Sequence, residues 1–213
     1  FVGNRTLAEL VLRSAEDAAA LQDVPTVVVN FLRGAGFFDP LPAPPVLERA
    51  FKPTTAVLLL TNQCQLRCVY CYAAAGEAAR QTLTLELARP VIDAACQNAL
   101  DAGRGRFSVS FHGGGEPTAA WKLMQACTAY ARQKPLPAHI SLTSNGVWSP
   151  TQTRWILANL DSVSLSMDGS PITQDQQRPL ASGRQSSAWV MRTIQALDAK
   201  HFPYGIRMTA TAP

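Results

Sequence analysis

The sequence predicts an α/β protein organised around one sheet of parallel strands. From residue 54 onward, short apolar and β-branched runs alternate with longer segments of helical spacing. Alternation of this kind requires right-handed crossovers between parallel neighbours. In addition, the first four runs are each followed by a polar or glycine-rich turn, as at the functional rim of a parallel sheet. Five strands are predicted, over 54–61, 107–112, 139–143, 162–166 and 205–211.

The connecting segments have the spacing of amphipathic helices. Thr84 is the expected N-cap of the first helix, and Pro90 should kink or restart it. Cys96 and Cys127 fall among apolar neighbours in these segments, so both are predicted to be buried, inert thiols. The helices are predicted over 83–102, 118–133, 150–159 and 186–200.

The chain is predicted to have two parts. Residues 1–50 form an N-terminal helical extension, and residues 51–213 form the core domain. A proline-rich connector over 39–45 marks the boundary between them. Within the extension, the spacing predicts helices over 6–21 and 25–32.

Composition and charge exclude several classes of function. The 213 residues carry a net charge of +4, mostly from scattered arginines without a basic block, so no nucleic-acid partner is expected. No apolar run approaches the ~20 residues of a membrane span, and neither a membrane partner nor a signal peptide is expected. Five cysteines, three of them clustered, do not suit a disulfide scaffold and are typical of a reducing cytoplasm.

Three cysteines in the turn after the first strand suggest a metal centre. Cys64, Cys68 and Cys71 have the spacing Cys-x3-Cys-x2-Cys. A structural zinc site needs a fourth ligand, which His112 or a more distant residue could supply. A four-iron cluster held by three thiolates instead keeps one iron without a protein ligand, which is then free to bind a small molecule.

The turns after the next three strands should lie beside the cysteines, because the carboxyl ends of parallel strands meet at one rim. The second strand leads into a triple glycine followed by Glu116 and Pro117. Glycines let the backbone approach a ligand closely. Thr143-Ser-Asn-Gly146 follows the third strand, and Met167-Asp-Gly169 follows the fourth.

Taken together, these motifs resemble those of the radical S-adenosylmethionine (radical SAM) superfamily. The cysteine spacing with the aromatic Tyr70 before the third cysteine is similar to the family's cluster motif. The resemblance implies a partial (β/α)6 TIM-like barrel, truncated here after about five strands, with a [4Fe-4S] cluster and S-adenosylmethionine as cofactors. Because the family's sixth strand is missing, we expect further chain beyond residue 213.

The resemblance also implies roles for the rim residues toward S-adenosylmethionine. Gly114, Gly115 and Glu116 resemble the Gly-Gly-Glu motif that holds the amino group, with Gly113 within contact range. Ser166 would lie against the ribose, beside Asp168 of the same Ser-x-Asp-Gly motif. Arg178 would pair with the carboxylate, which suits a guanidinium fork. Tyr70 would contact the adenine or pack beneath the cluster loop, and Ser144 and Asn145 resemble the Thr-Asn-Gly turn.

The implied activity is reductive cleavage of S-adenosylmethionine to a 5′-deoxyadenosyl radical that abstracts hydrogen from a substrate. The Tyr-Cys-Tyr, His-Gly-Gly-Gly-Glu-Pro-Thr and Ser-x-Asp-Gly motifs resemble the branch that modifies peptides and proteins. Its partners would be a peptide or protein, including a leader-bearing precursor peptide, and an electron donor such as flavodoxin or ferredoxin. The alternatives are a sulfatase-maturing or small-molecule radical SAM enzyme, and a structural zinc-binding module.

Overall fold

The structure is a computed structural model that describes residues 24–40 and 51–210. These residues belong to two compact units, one within residues 1–50 and the other within residues 51–213. The predicted helix over 6–21 and most of the connector lie outside the described residues.

The described part of the first unit is a short amphipathic helix. Helix α1, Thr26–Gly34, follows Pro25 and buries Val29 and Leu32. Beyond the helix, the chain turns at Gly36, which has a φ of +70°. A left-handed glycine commonly follows the last turn of a helix in this way.

The second unit is built on five parallel strands in the order β1-β2-β3-β4-β5. Every crossover therefore joins neighbouring strands, and all carboxyl ends lie along one rim. This confirms the predicted α/β class. The strands are β1 (Thr55–Leu58), β2 (Phe107–Phe111), β3 (Ala138–Ser144), β4 (Ser162–Ser166) and β5 (Tyr204–Arg207).

Five helices connect the strands within this unit, and a single-turn 3-10 helix, Pro117–Ala120, precedes the second of them. Four helices match the prediction, whereas α5 was missed because its sequence, PITQDQQ, has no apolar repeat. Ser170 as N-cap and Pro171 in the first turn were the available signals for α5. The helices are α2 (Leu85–Asp101), α3 (Trp121–Arg132), α4 (Pro150–Asn159), α5 (Pro171–Gln177) and α6 (Ser187–Asp198).

Helix α2 departs from the prediction at Pro90. Thr84 accepts a hydrogen bond from the backbone N of Leu87, which confirms the predicted N-cap. The helix then runs through Pro90 without restarting. A proline there removes one backbone donor, but the buried face that includes Ile92 and Cys96 packs in the core and holds the helix together.

Strand β1 is shorter than predicted and buried on one face only. Ala56 and Leu58 are buried, whereas Val57 and Leu59 are each about half exposed. The chain leaves the sheet after Leu58 because the following residues pair with residues 81–83; Leu83 N, for example, donates to Leu60 O. This change of partner places the cysteine turn at the rim.

The core lies between the sheet and its helices. Phe107, Val109 and Phe111 of β2 are fully buried, and the alternation of the strand sends their side chains to one face. Cys96 and Cys127 lie in this core, so the prediction that both are buried is confirmed. No helix within the described residues is both long and apolar enough to span a membrane.

Candidate active site

The three cysteines of the turn after β1 line one cavity. Cys64, Cys68 and Cys71 are free and half-buried. Burial raises the pKa of the Cys64 thiol to about 11. It also raises the pKa of the Cys68 thiol, against the opposing effect of Arg178.

The cavity has a volume of about 480 Å³ and receives residues from beyond all five strands. It brings together twelve of the thirteen residues predicted for the site, and the exception is Asp168. The shared rim of a parallel sheet is the reason, since the predicted residues lie at the strand ends or in the connections that follow them. The twelve are Cys64, Cys68, Tyr70, Cys71, Gly113, Gly114, Gly115, Glu116, Ser144, Asn145, Ser166 and Arg178.

The glycine turn after β2 packs tightly against the start of the cysteine turn. Gly115 N donates to Thr61 O at 2.7 Å, and Glu116 N donates to Gln63 O at 2.8 Å. A Cβ on Gly115 would lie 2.2 Å from Gln63 O, so only glycine fits there. Gly114 has a φ of +81°, which also favours glycine. The glycines thus join the two turns and also line the cavity.

Glu116 connects neighbouring turns of the rim through hydrogen bonds to its buried side chain. Its side chain is 2% exposed, and its carboxylate accepts four hydrogen bonds. Oε1 accepts from Thr118 N at 3.1 Å, Thr118 Oγ1 at 2.8 Å and Ser144 Oγ at 2.8 Å, and Oε2 accepts from Asn145 N at 2.9 Å. Burial raises the pKa of the Glu116 carboxyl, and the four hydrogen bonds oppose that shift. Oε2 keeps capacity for a further donor.

The Ser144–Asn145 turn is held between Glu116 and the cysteine turn. Trp148 Nε1 donates to Ser144 Oγ at 2.8 Å, and Asn145 Nδ2 lies 3.6 Å from Cys64 Sγ. Gln65 Nε2 lies 3.4 Å from Asn145 Oδ1 and connects the same two turns. Both predicted residues of this turn are therefore buried at the rim, next to the first cysteine.

Tyr70, Asp168 and Arg178 form a hydrogen-bonded chain that the sequence did not reveal. The Tyr70 hydroxyl donates to Asp168 Oδ2 and accepts from Arg178 Nη1, the latter at 2.8 Å. Burial and the bond to Asp168 raise the pKa of Tyr70. Asp168 lies behind the cavity wall, where its Oδ1 accepts from Thr209 N at 2.9 Å. This chain connects the cysteine turn to the ends of β4 and β5.

Arg178 is a buried cation with an unsatisfied donor. It follows the last residue of α5, it is 7% exposed, and its Nε has no hydrogen-bond partner among the described residues. Helix α5 is held in place by Gln174, which is fully buried and accepts from Asp168 N at 2.9 Å. A buried guanidinium with a free donor fits a carboxylate ligand.

Several cavity residues were missed by the sequence analysis, notably Tyr72, Arg207 and Met208. The last two follow the rule used for the other strands, since they lie at the end of β5. Arg207 Nη1 is 3.3 Å from His112 Nε2, so these side chains meet across the cavity. His112, the possible zinc ligand, thus contacts an arginine.

The donors around the cavity fit the predicted cofactors. No three His, Cys, Asp or Glu side chains within residues 24–40 and 51–210 are grouped to hold a single metal ion. The three cysteines line one cavity, as the ligands of a single [4Fe-4S] cluster must. The free Nε of Arg178 suits the carboxylate of S-adenosylmethionine.

Comparison with known proteins identifies the class. Residues 58–211 match the model of the Radical SAM superfamily, and the chain belongs to that superfamily. Superfamily members are enzymes that use a [4Fe-4S] cluster and S-adenosylmethionine, so the predicted cofactors are confirmed. Membership also favours the cluster over the zinc-binding alternative.

Two curated relatives have different named activities. GTP 3′,8-cyclase 2 of Mycobacterium tuberculosis is 38% identical over 110 residues, which are 51% of this chain and 29% of the relative. The sporulation killing factor maturation protein SkfB of Bacillus subtilis is 28% identical over 163 residues, 75% of this chain and 36% of the relative. This chain spans about half or less of the length of the curated relatives that it matches.

A solved structure confirms the fold. The structure of native anSMEcpe with bound AdoMet and Cp18Cys peptide superposes with a TM-score of 0.60 and 22% identity. The match covers 71% of this chain and 41% of that one. The five-stranded sheet is accordingly the part of a TIM-like radical SAM barrel that the sequence predicted.

Proposed function

We propose that this chain contains the core of a radical SAM enzyme that modifies a peptide, as in the maturation of ribosomally made peptides. The observation that carries the proposal is the single cavity shared by the three cysteines, the glycine turn and Arg178. The maturation protein SkfB among the relatives supports a peptide substrate. The peptide bound in the solved structure of similar fold also supports a peptide substrate.

We assign different residues of the cavity to the two cofactors. Cys64, Cys68 and Cys71 would hold the [4Fe-4S] cluster. When bound, the reduced cluster supplies the electron that cleaves S-adenosylmethionine to methionine and a 5′-deoxyadenosyl radical. Arg178 would bind the carboxylate of S-adenosylmethionine, in keeping with its burial and its free Nε.

The remaining rim residues would orient S-adenosylmethionine. The backbone of Gly113, Gly114 and Gly115 and the open lone pair on Glu116 Oε2 are suited to its amino group. Ser166 would lie against the ribose.

The second layer of the site would keep these groups in place. Tyr70 would contact the adenine with its ring while its hydroxyl holds Arg178. Asp168 acts through Tyr70 rather than by direct contact, because it lies behind the cavity wall. Ser144 and Asn145 would close the wall beside the first cysteine. These fixed donors would orient S-adenosylmethionine toward the substrate and limit the access of water to it.

The substrate would enter past the residues on the open side of the cavity. Tyr72, His112, Arg207 and Met208 line the cavity, and Tyr72 and Met208 are strongly exposed. An aromatic ring, a thioether and two basic groups suit a peptide with apolar and acidic or backbone carbonyl groups. We assign these four residues to substrate contact.

Anaerobic purification with assays of iron, sulfide and 5′-deoxyadenosine tests the proposal. We expect about four irons per chain that depend on Cys64, Cys68 and Cys71, with 5′-deoxyadenosine formation that is stimulated by a precursor peptide. A colourless protein that contains zinc and never yields 5′-deoxyadenosine would contradict the radical SAM assignment. Cleavage of S-adenosylmethionine that no peptide stimulates would contradict the peptide assignment alone.

A small-molecule substrate is the second candidate, and the 38% identity to a GTP 3′,8-cyclase over 110 residues favours it. GTP added in place of peptide distinguishes the two candidates. Consumption of the added GTP, together with formation of 5′-deoxyadenosine, would support the cyclase-like function. A sulfatase-maturing activity would require oxidation of a cysteine- or serine-containing sulfatase peptide.

We also propose roles for the two parts of the chain, a class of electron donor and a cellular location. Residues 51–213 would form the catalytic core and residues 1–50 a helical extension. The cluster needs a one-electron donor such as flavodoxin or ferredoxin, and a cytoplasmic location would protect it from oxidation. A leader-bearing precursor peptide is the partner to test first.

A further inference from the structure

Arg67 lies between two cluster cysteines in sequence, yet its side chain is not part of the cavity wall. Its half-buried guanidinium donates to four backbone carbonyls instead. Nη1 donates to Cys64 O at 2.9 Å, Leu66 O at 2.8 Å and Ala75 O at 3.3 Å, and Nη2 donates to Gly76 O at 3.0 Å. One side chain therefore joins the two ends of the cysteine turn, residues 64–66 and 75–76.

Two of these carbonyls belong to residues whose amides face cysteine sulfurs. Leu66 N donates to Cys64 Sγ at 3.4 Å, and Ala75 N donates to Cys71 Sγ at 3.5 Å. Arg67 thus holds the carbonyls of Leu66 and Ala75 while their N–H groups point to Sγ atoms. The N–H and C=O of one residue belong to adjacent peptide planes that share its Cα, so once the carbonyl is fixed the amide can turn only through the φ and ψ of Leu66 or Ala75.

The backbone opposite Arg67 is shaped to accept the guanidinium. Gly76 has a φ of +85°, and a Cβ there would lie 2.6 Å from Arg67 Nη1. Gly76 N donates to Asn62 O at 2.7 Å, which anchors this end of the turn just before the first cysteine. A side chain at Gly76 would displace the guanidinium from its carbonyls.

We propose that Arg67 is the positioning residue of the cluster: it holds the cysteine turn so that the amides of Leu66 and Ala75 donate to Cys64 Sγ and Cys71 Sγ. Hydrogen bonds to cluster sulfurs raise the reduction potential because they stabilise the more negative, reduced state. Residues behind the ligands also set how tightly the metal is held. The inference depends on the cluster of the superfamily and not on the identity of the substrate.

Arg67→Gln in the reconstituted full-length protein tests the inference, with Arg132→Gln as the matched control. Arg132 also donates to backbone carbonyls, those of Ala138 at 2.5 Å and Asn159 at 2.9 Å, but it is not among the cavity residues. We expect the chelator concentration that removes the iron to be roughly 10–100-fold lower for Arg67→Gln than for the wild type. Its midpoint potential, followed by electron paramagnetic resonance, should shift to more negative values, whereas Arg132→Gln should keep the wild-type potential and iron retention.

Two further variants separate positioning from general stability. Arg67→Lys keeps the charge but cannot reach all four carbonyls, so its iron retention and potential should fall between those of the wild type and Arg67→Gln. Gly76→Ala should reproduce Arg67→Gln. In the double variant Arg67→Gln/Gly76→Ala, the midpoint potential should equal that of Arg67→Gln alone, because both changes remove the same contacts. The positive φ of Gly76 strains alanine in either background and bears on stability rather than on the potential.

Three results would overturn the assignment. The first is wild-type iron retention and potential in Arg67→Gln, and the second is full additivity in the double variant. The third is loss of the far-ultraviolet circular dichroism of the metal-free protein in both Arg67 variants but not in Arg132→Gln. In that case Arg67 would support the whole domain and not the cysteine turn.

Discussion

Gly115→Ala should disconnect the glycine turn from the cysteine turn. The added Cβ would lie 2.2 Å from Gln63 O, 2.6 Å from Asn62 C and 2.7 Å from Gln63 C. These are backbone atoms and cannot rotate away. Because real contacts of Cβ atoms do not fall below 3.0 Å, the turns must separate by at least about 0.8 Å.

The cost follows from the two hydrogen bonds that join the turns. Separation weakens the bond from Gly115 N to Thr61 O and the bond from Glu116 N to Gln63 O. Each buried group left without a partner costs about 1–3 kcal/mol, so the free energy of unfolding should fall by about 2–6 kcal/mol. The same movement shifts the start of the cysteine turn, so the cluster should be held more weakly.

Urea unfolding of the metal-free, reduced protein measures the first effect, and iron content after reconstitution measures the second. Gly105→Ala is the matched control, because Gly105 has open space around it and lies just before β2. We expect the control to change the free energy of unfolding by less than about 1 kcal/mol. Equal stability and iron content in the two variants would refute the reasoning.

The remaining predictions concern the cysteines and one helix cap. Cys68→Ala should abolish cluster assembly while Cys127→Ala keeps the wild-type iron-to-protein ratio; equal iron loss in both would mean that the ligands are misassigned. Burial raises the pKa of Cys127 from 9.0 to about 11, so the folded thiol stays protonated where the unfolded one ionises. The free energy of unfolding of the wild type should therefore decline relative to that of Cys127→Ala as the pH rises from about 9 to about 11. Urea unfolding of both proteins across that range measures this change. A constant difference between the two free energies would mean that the thiol is accessible to solvent. Thr84→Ala removes the cap on Leu87 N and should lower the free energy of unfolding by about 1 kcal/mol without changing iron content; loss of iron would show that α2 also shapes the site.

The strands and their rim could be predicted because their signals are local. The alternation over Phe107–Phe111 places one face in the core, and the parallel topology then brings the polar strand ends together. That reasoning located every cavity residue that resembles a family motif. It also applied to Arg207 and Met208, although no motif drew attention to them.

The connections within the site could not be predicted, because they join residues that are remote in sequence. Tyr70 and Arg178 are 108 positions apart, and Asp168 proved to support them from behind the wall. Helix α5 ends just before Arg178 and positions it, but the helix is short and polar and is recognisable chiefly by its cap. Glu116 looks like a ligand in sequence, whereas in the fold it is also the acceptor that holds Ser144 and Asn145.

The sequence by itself determined the class of fold, the position of the three clustered cysteines and the turns that form the rim, since each depends on a short pattern. Only the tertiary structure decided which groups face the cavity and which support them. Arg67 is the clearest case. In sequence it is one more arginine between Cys64 and Cys68, but in the fold it binds carbonyls from both ends of the turn. A guanidinium binds where several acceptors converge, and convergence exists only after the chain has folded.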